Sequence, residues 1–198
     1  MHLARLALVA PLCSTLALLA GPAAAAPAPD VPAGSVRAER ASDLRVDVEL
    51  DPLAYALSGH SVHVGLGTGR FRFDLGAFAL ELPTWAHGND GFTSSFDGFG
   101  AKAHAFFGAD RSGPFAGIAL GVAHTLVQRD GTQLAARDTA LSAGVEVGWL
   151  VPIVAGLYVK PWVGLGYTFG ADDVVLDGQR YSANPIQIFP TVHLGYVF

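Results

Sequence analysis

Residues 186–198 read IQIFPTVHLGYVF, a stretch in which apolar side chains occupy every second position. Ile186, Ile188, Val192, Leu194 and Tyr196 fall on one face, and the other face carries mostly polar or small residues. A period of two is typical of a β-strand that has one apolar face. The stretch therefore predicts a strand that lies between an apolar phase and a different environment on its other side.

The same alternation recurs along the chain before this strand. Seven further segments show it: residues 44–50, 60–67, 70–82, 96–108, 115–128, 141–149 and 157–169. The longer ones approach the roughly 9–11 residues of a tilted membrane strand. The connections alternate between short and long, which is typical of outer-membrane barrels with short turns at one end and longer loops at the other. We predict an all-β, eight-stranded antiparallel up-and-down transmembrane β-barrel over residues 43–198.

Composition supports a membrane barrel. The chain has 198 residues, of which 51% are hydrophobic and only 15% charged, whereas soluble domains carry about 25% charged residues. After residue 26 no apolar stretch reaches the ~20 residues of a spanning helix, which favours a closed barrel. A soluble lipocalin-type barrel is the alternative fold. It would need a broad polar face toward water, and the polar face of these strands is too narrow for that. An excess of 17 Asp and Glu over 12 Lys and Arg argues against a nucleic-acid partner.

The first residues have the pattern of a targeting segment. A short basic start, an apolar run and an Ala-rich end over residues 1–26 predict a secretory signal peptide. Residues 27–42 are rich in Pro and Ala and predict a flexible linker. The only cysteine, Cys13, lies in the predicted signal peptide, so we expect neither a disulfide nor a thiolate metal site in the mature chain. We predict no metal and no cofactor.

The final strand also carries a family resemblance. Val192, Leu194, Tyr196 and Phe198 alternate toward the last position, which resembles the terminal strand by which bacterial outer-membrane proteins are recognised for insertion. The predicted mature chain resembles the small eight-stranded outer-membrane barrels of the OmpA/OmpX type. The resemblance implies a place in the cell outer membrane of a Gram-negative envelope. It also implies contact with membrane lipids, lipopolysaccharide and the barrel-insertion machinery. We expect a monomer.

The face opposite the lipid is predicted to hold a charge network. By parity it contains Arg45, Asp47, Glu49, His63, Arg72, Asp74, Lys102, His104, Glu146, Lys160 and His193. Charges in a narrow interior are costly unless they are paired and hydrogen-bonded. The balance of signs therefore predicts a salt-bridged lumen. Because eight strands enclose little more than their own side chains, a porin-like pore for solutes is not expected.

Turn symmetry predicts two specific pairs in this network. A two-residue turn at residues 68–69 places His63 opposite Asp74. A symmetric turn around Ile153 places Glu146 opposite Lys160. Directly opposed side chains on antiparallel strands are within contact range, so both pairs are predicted salt bridges.

The functional prediction is a structural or surface-interaction role without catalysis. One alternative is a lipid-modifying hydrolase with Ser61 as nucleophile, His63 as general base and Asp74 orienting the imidazole. The Cα atoms of Ser61 and His63 should lie about 7 Å apart on one strand, which argues against a direct hydrogen bond. A narrow pore is a further alternative.

The predicted long loops carry most of the acidic excess. Their rim contains Asp51, Glu81, Asp90, Asp97, Asp130, Asp138, Asp172, Asp173 and Asp177. The last three of these could hold a divalent cation, but a solvated acidic face is the simpler interpretation. The loop at residues 85–92 is the best candidate recognition surface. Its simpler interpretation is a turn-rich loop with Trp85 as an interfacial anchor.

Overall fold

A computed structural model describes residues 44–198 and shows a closed barrel of eight antiparallel strands. The predicted signal peptide and linker lie outside the described residues. The barrel strands are β1 (Arg45–Leu50), β2 (His60–Thr68), β3 (Phe71–Leu82), β4 (Phe92–Phe106), β5 (Gly113–Arg129), β6 (Ala135–Val154), β7 (Leu157–Phe169) and β10 (Ile186–Val197). Each strand pairs with its neighbours in sequence, and β10 closes the ring against β1. The predicted fold class is confirmed.

The connections alternate in length as predicted. At one end lie the turns at residues 69–70, 107–112 and 155–156, together with Leu44 and Phe198; we call it the short-turn end. The opposite, long-loop end carries two short helices, α1 (Pro52–Ala56) and α2 (Thr84–His87), and a hairpin of β8 (Val174–Leu176) and β9 (Gln179–Tyr181). No helix within residues 44–198 has the length and apolar character needed to cross a membrane.

The two faces of the wall differ as the alternation predicts. Outward-facing positions on every strand carry large exposed apolar side chains, among them Leu75, Phe99, Ile118, Leu165 and Ile188. Inward-facing positions of β1, β2 and β3 are buried and largely polar. A soluble lipocalin-type barrel has the reverse arrangement, with apolar residues inside. The outer wall is therefore an apolar band, and the polar face is the lumen.

Three strands are longer than the sequence predicts. β4 begins at Phe92 rather than residue 96, and β6 spans Ala135–Val154 rather than residues 141–149. β5 likewise runs to Arg129. At the long-loop ends of β4 and β6, the outward positions Thr93, Ser95, Arg137 and Thr139 are polar. The apolar alternation of these two strands therefore stops before the backbone ladder does. The predicted loop at residues 129–137 shrinks to 130–134.

The predicted register between β2 and β3 is wrong by two residues. Thr68 pairs with Phe71, so the turn consists of residues 69–70, and His63 lies opposite Gly76 rather than Asp74. Gly69, the first residue of the turn, has a φ of +54°. Two-residue turns with positive φ at this position match the twist of the flanking strands, and glycine adopts that φ readily. A shift of two keeps every side chain on its face. His63 and Asp74 therefore still meet, diagonally, with 3.2 Å between Nδ1 and Oδ1.

The predicted pairing of Glu146 with Lys160 is wrong. β6 continues through Pro152, and the turn consists of Ala155 and Gly156, with φ of +46° and +85°. Positive φ at both central residues is the conformation of a tight hairpin turn. Glu146 consequently lies opposite Gly164, and Lys160 lies opposite His193 of β10. The two side chains share the lumen but take different partners.

Candidate functional site

The lumen collects nearly all the residues that parity assigns to it. Buried inside the barrel are Asp47, Glu49, His63, Arg72, Asp74, His104, Glu146, Lys160 and His193. The ammonium of Lys102 joins them with a side chain that is 11% exposed. Arg45 lies at the short-turn end, where it lines a cavity of about 530 Å³ with Asp47, Arg72 and Tyr158.

Glu49 is the centre of one cluster. Its Oε2 accepts from Lys160 Nζ at 2.6 Å and from His193 Nδ1 at 2.8 Å. Its Oε1 lies 2.7 Å from the hydroxyl of Tyr158 and 3.2 Å from Nη2 of Arg72. Glu49 is fully buried, and Lys160 is 1% exposed. The carboxylate therefore depends on these donors to replace water.

Arg72 connects this cluster to the next one. Its guanidinium donates to both carboxylate oxygens of Asp47, with Nη2 2.6 Å from Oδ1 and Nε 3.0 Å from Oδ2. Its Nη1 also donates to Asp74. The Tyr158 hydroxyl lies 3.0 Å from Asp47 Oδ1. Such bidentate, charge-assisted bonds are stronger than neutral ones and fix the geometry of both partners.

Glu146 forms the third cluster, on the opposite wall. It accepts from the imidazole Nε2 of His104 and forms an ion pair with Lys102 Nζ at 3.2 Å. Lys102 also lies over the ring of Trp162, 3.8 Å from its centroid, which is favourable cation–π geometry. Glu146 thus forms its ion pair with Lys102. Lys160, its partner in the predicted register, binds Glu49 instead.

A common arrangement recurs in the three clusters. Glu49, Asp74 and Glu146 each contact at least one lysine or arginine and at least one histidine. The fixed cation neutralises the carboxylate, and the histidine occupies a further lone pair. Buried ion pairs are tolerated only when such extra hydrogen bonds satisfy the remaining polar atoms. The arrangement can therefore fill a lumen without leaving unpaired charge on these carboxylates.

Asp51 belongs to the lumen rather than to the acidic rim. It is buried, its Oδ1 caps α1 by accepting from Leu53 N at 2.9 Å, and the same atom accepts from Thr191 Oγ1 at 2.8 Å. The sequence carries the signal for this role, since Asp before Pro52 is a favoured helix start. The residue is too close to the strand end for parity alone to assign it.

Ser61, His63 and Asp74 are joined by hydrogen bonds. His63 Nδ1 faces the Asp74 carboxylate at 3.2 Å, and Nε2 lies 3.1 Å from Ser61 Oγ. Because a carboxylate only accepts, Nδ1 is the donor to Asp74, and in the tautomer with its proton on Nδ1 the Nε2 atom accepts from the serine hydroxyl. The objection based on the Cα spacing is thus wrong, because the imidazole spans that gap. Ser61 is only 3% exposed, which limits access to its hydroxyl.

Glycines make room for the polar side chains. A Cβ added to Gly76 would lie 2.0 Å from His63 Nδ1, and one on Gly195 would lie 2.2 Å from Tyr158 Cζ. Gly65 and Gly117 have the same relation to Arg72 and His104 respectively. The sequence shows these glycines on the lumen face, but only the register reveals which side chain each one accommodates.

Two long loops are connected at the long-loop end. Asn89 Nδ2 donates to Ser182 O at 3.2 Å, and Ser182 N donates to Asn89 Oδ1 at 2.8 Å. Beside this contact, Tyr181 packs on Phe92 and donates to Ser94 Oγ. The bonds hold the α2 loop against the β9–β10 connection.

We expect Asn89→Ala to open this connection without destabilising the barrel. The substitution removes both inter-loop bonds, so trypsin should cleave faster after Arg180, which is exposed. Limited proteolysis followed by mass spectrometry measures the rate. Asn184→Ala is the matched control, since Asn184 bonds only locally, to Ile186 N. Equal cleavage rates in the two variants would contradict the role given to Asn89.

Titratable groups of these loops respond to their surroundings. Partial burial lowers the pKa of His87, against the opposing effect of Asp130 and Asp90. Hydrogen bonds from Arg180 and from the Ala183 amide hold the pKa of Asp173 below its usual value. Asp173 is thus engaged within the chain, and the described residues contain no group of three or more possible metal ligands.

Comparison with solved structures supports the fold. Neisserial surface protein A aligns with a TM-score of 0.50 and 14% identity, over 78% of this chain and 96% of that one. The N-terminal β-barrel domain of Pseudomonas aeruginosa OprF aligns with a TM-score of 0.48 and 13% identity, over 80% of this chain and all of the domain. No protein-family model matches the sequence, and no curated protein matches it either. The alignment with Neisserial surface protein A shows that the two chains share a fold.

Proposed function

We propose that the protein is an integral outer-membrane barrel with a structural or surface-interaction role and a lumen closed by ion pairs. The observation that carries the proposal is the division of the wall, with an apolar band outside and the clusters around Glu49, Asp74 and Glu146 inside. Lipid is the solvent that suits such an outer face. Export by the predicted signal peptide and insertion through Val192, Leu194, Tyr196 and Phe198 are part of the proposal.

The C-terminal strand supports the insertion step by the orientation of its side chains. Val192, Leu194, Tyr196 and Phe198 are all outward-facing and exposed. They are therefore available to the insertion machinery and afterwards to lipid. Lipids, including lipopolysaccharide, are the proposed surroundings of a monomer. Cell fractionation with N-terminal sequencing of the outer-membrane form tests both the location and the processing near residue 26.

We expect the folded barrel to show no stable conductance in planar lipid bilayers. Glu49, Lys160 and Arg72 bridge the lumen, and an eight-stranded barrel leaves little further space. A large, stable conductance at neutral pH would contradict a closed lumen and favour the narrow pore instead. Folding in the bilayer is checked by protection from added protease.

A lipid-modifying hydrolase is the second candidate, favoured by the hydrogen bonds that join Ser61, His63 and Asp74. In that mechanism Ser61 Oγ attacks an ester carbonyl while His63 Nε2 takes the hydroxyl proton and Asp74 holds the ring. The ester C–O bond then breaks, His63 gives the proton to the leaving alcohol, and water hydrolyses the acyl-serine. Ser61 is buried, and Asp74 forms an ion pair with Arg72. Both observations argue that these hydrogen-bonded residues have a structural role instead.

Enzyme assays separate the two candidates. We expect the folded barrel in detergent to release no product from a synthetic ester or from lipid A. Turnover that disappears in Ser61→Ala but survives in Ser94→Ala would establish the hydrolase. Ser94 is a suitable control because it is another buried lumen serine, bonded to Tyr181 rather than to a histidine.

A further inference from the structure

Trp85 is an unusually exposed aromatic residue. The residue is 81% exposed although it stands on α2, a short helix that hydrogen bonds fix on its C-terminal side. Gly88 ends the helix, Asn89 N bonds to His87 Nδ1, and Asn89 binds the neighbouring loop. A single exposed ring does not by itself require a partner, so its direction and its height on the barrel decide what it contacts.

The helix geometry gives the direction of this ring. His87 lies 5.6 Å from the ring of Tyr181, which is buried and bonded to lumen-facing Ser94. His87 therefore faces the mouth of the barrel. Residues two positions apart on a helix point about 200° apart. Trp85 consequently points away from the mouth, toward the outside of the wall.

An outward-facing polar pair gives its height. Asp97 and His124 lie opposite each other on β4 and β5, with Oδ2 and Nδ1 3.3 Å apart. The next outward positions toward the short-turn end, Phe99 and Val122, are apolar. Beyond the pair, the outward positions of β4 are Ser95 and Thr93, so the pair marks the edge of the apolar band on β4. Asp97 pairs with Ala79, so β3 reaches the same edge at Ala79. The strand ends at Leu82, about 10 Å further toward the long loops.

The position around the barrel completes the picture. Tyr167 and Phe169 are exposed on the outer face at the long-loop end of β7. β3, which leads to Trp85, is four strands from β7 in the ring of eight and so lies diametrically opposite. Aromatic side chains at both sides of one rim are the arrangement of an interfacial belt.

We propose that Trp85 binds the lipid surface at the long-loop end, as the anchor opposite Tyr167 and Phe169. This inference rests on the proposed membrane location and adds the residue that fixes the barrel on its β3–β4 side. The indole lies at headgroup level, where its ring contacts acyl chains and its N–H remains hydrated. The α2 loop is then a membrane contact rather than a recognition surface for a soluble partner.

Tryptophan quenching tests the proposal, because the chain has only three tryptophans: Trp85, Trp149 and Trp162. Trp149 is outward-facing at the short-turn end, and Trp162 is in the lumen over Lys102. Three full-length variants keep one tryptophan each, with the other two changed to Phe. Each is folded into phosphatidylcholine vesicles with bromines on the acyl chains near the headgroups, and into vesicles without bromine.

We expect the bromines to reduce the fluorescence of Trp85 by at least as much as that of Trp149, with Trp162 unaffected. Quenching of Trp149 without quenching of Trp85, together with quenching of Trp85 by aqueous iodide, would overturn the anchor but leave membrane insertion intact. A folded barrel in which neither is quenched would overturn the proposed membrane location and the anchor with it. Should the double variants not fold, Trp149→Phe alone isolates Trp85 above the constant signal of Trp162.

Discussion

Lys160→Met should lower the free energy of unfolding by about 3 kcal/mol or more, because the buried carboxylate of Glu49 loses its closest cation. Lys160 Nζ lies 2.6 Å from Glu49 Oε2, and both side chains are almost inaccessible. Methionine matches the length of the lysine stem, so the change removes charge rather than volume. Urea unfolding in lipid vesicles, followed by tryptophan fluorescence and gel mobility, measures the loss.

A second substitution shows whether the loss comes from the ion pair. In Glu49→Gln with Lys160→Met, the amide oxygen still accepts from Tyr158 and no unpaired charge remains. We expect the double variant to lose less unfolding free energy than the two single variants lose together, by a coupling energy of about 1–3 kcal/mol. Arg180→Met is the exposed control, since the pair with Asp173 is on the surface and should contribute about 0–1 kcal/mol. Additive losses would contradict a direct Glu49–Lys160 interaction.

Side-chain parity in the sequence predicted the contents of the lumen. Alternation along β1 places Asp47 and Glu49 inside whatever their partners are, because successive side chains point to opposite faces. The same rule puts Asp97 and His124 on the outer face, and in the structure both are exposed. Parity does not change with a register error of two residues, so His63 and Asp74 share a face although they are not directly opposite each other.

The partners within the lumen could not be predicted because they depend on turns and on barrel closure. Glu49 binds Lys160, which is more than a hundred residues away, across strands β1, β10 and β7. The β6–β7 turn decides whether Lys160 faces Glu146, and its position depends on positive φ at Ala155, which alanine rarely adopts. Tyr158 has the same parity as Lys160 and so shares its face, but its hydrogen bonds to Glu49 and Asp47 follow only once the β6–β7 register is known.

Gly76→Ala should destabilise the barrel strongly although the substitution adds only one methyl group. The new Cβ would lie 2.0 Å from His63 Nδ1 and 2.3 Å from Cε1, so the ring must leave its position. Its bonds to Asp74 and Ser61 would then break. Overpacking of a filled interior costs about 1–3 kcal/mol, and the buried carboxylate that loses a donor adds to this. The midpoint of urea unfolding measures the effect.

The barrel contains a matched control for this substitution. Gly166 is also a lumen-facing strand glycine, but the nearest atom to an added Cβ is the carbonyl oxygen of Ala143 at 3.8 Å. Gly166→Ala should therefore leave stability within about 0.5 kcal/mol. His63→Ala should rescue Gly76→Ala in part, since the collision disappears with the ring. If Gly76→Ala and Gly166→Ala unfold at the same urea concentration, the close packing of His63 against β3 is wrong, and with it the diagonal contact to Asp74.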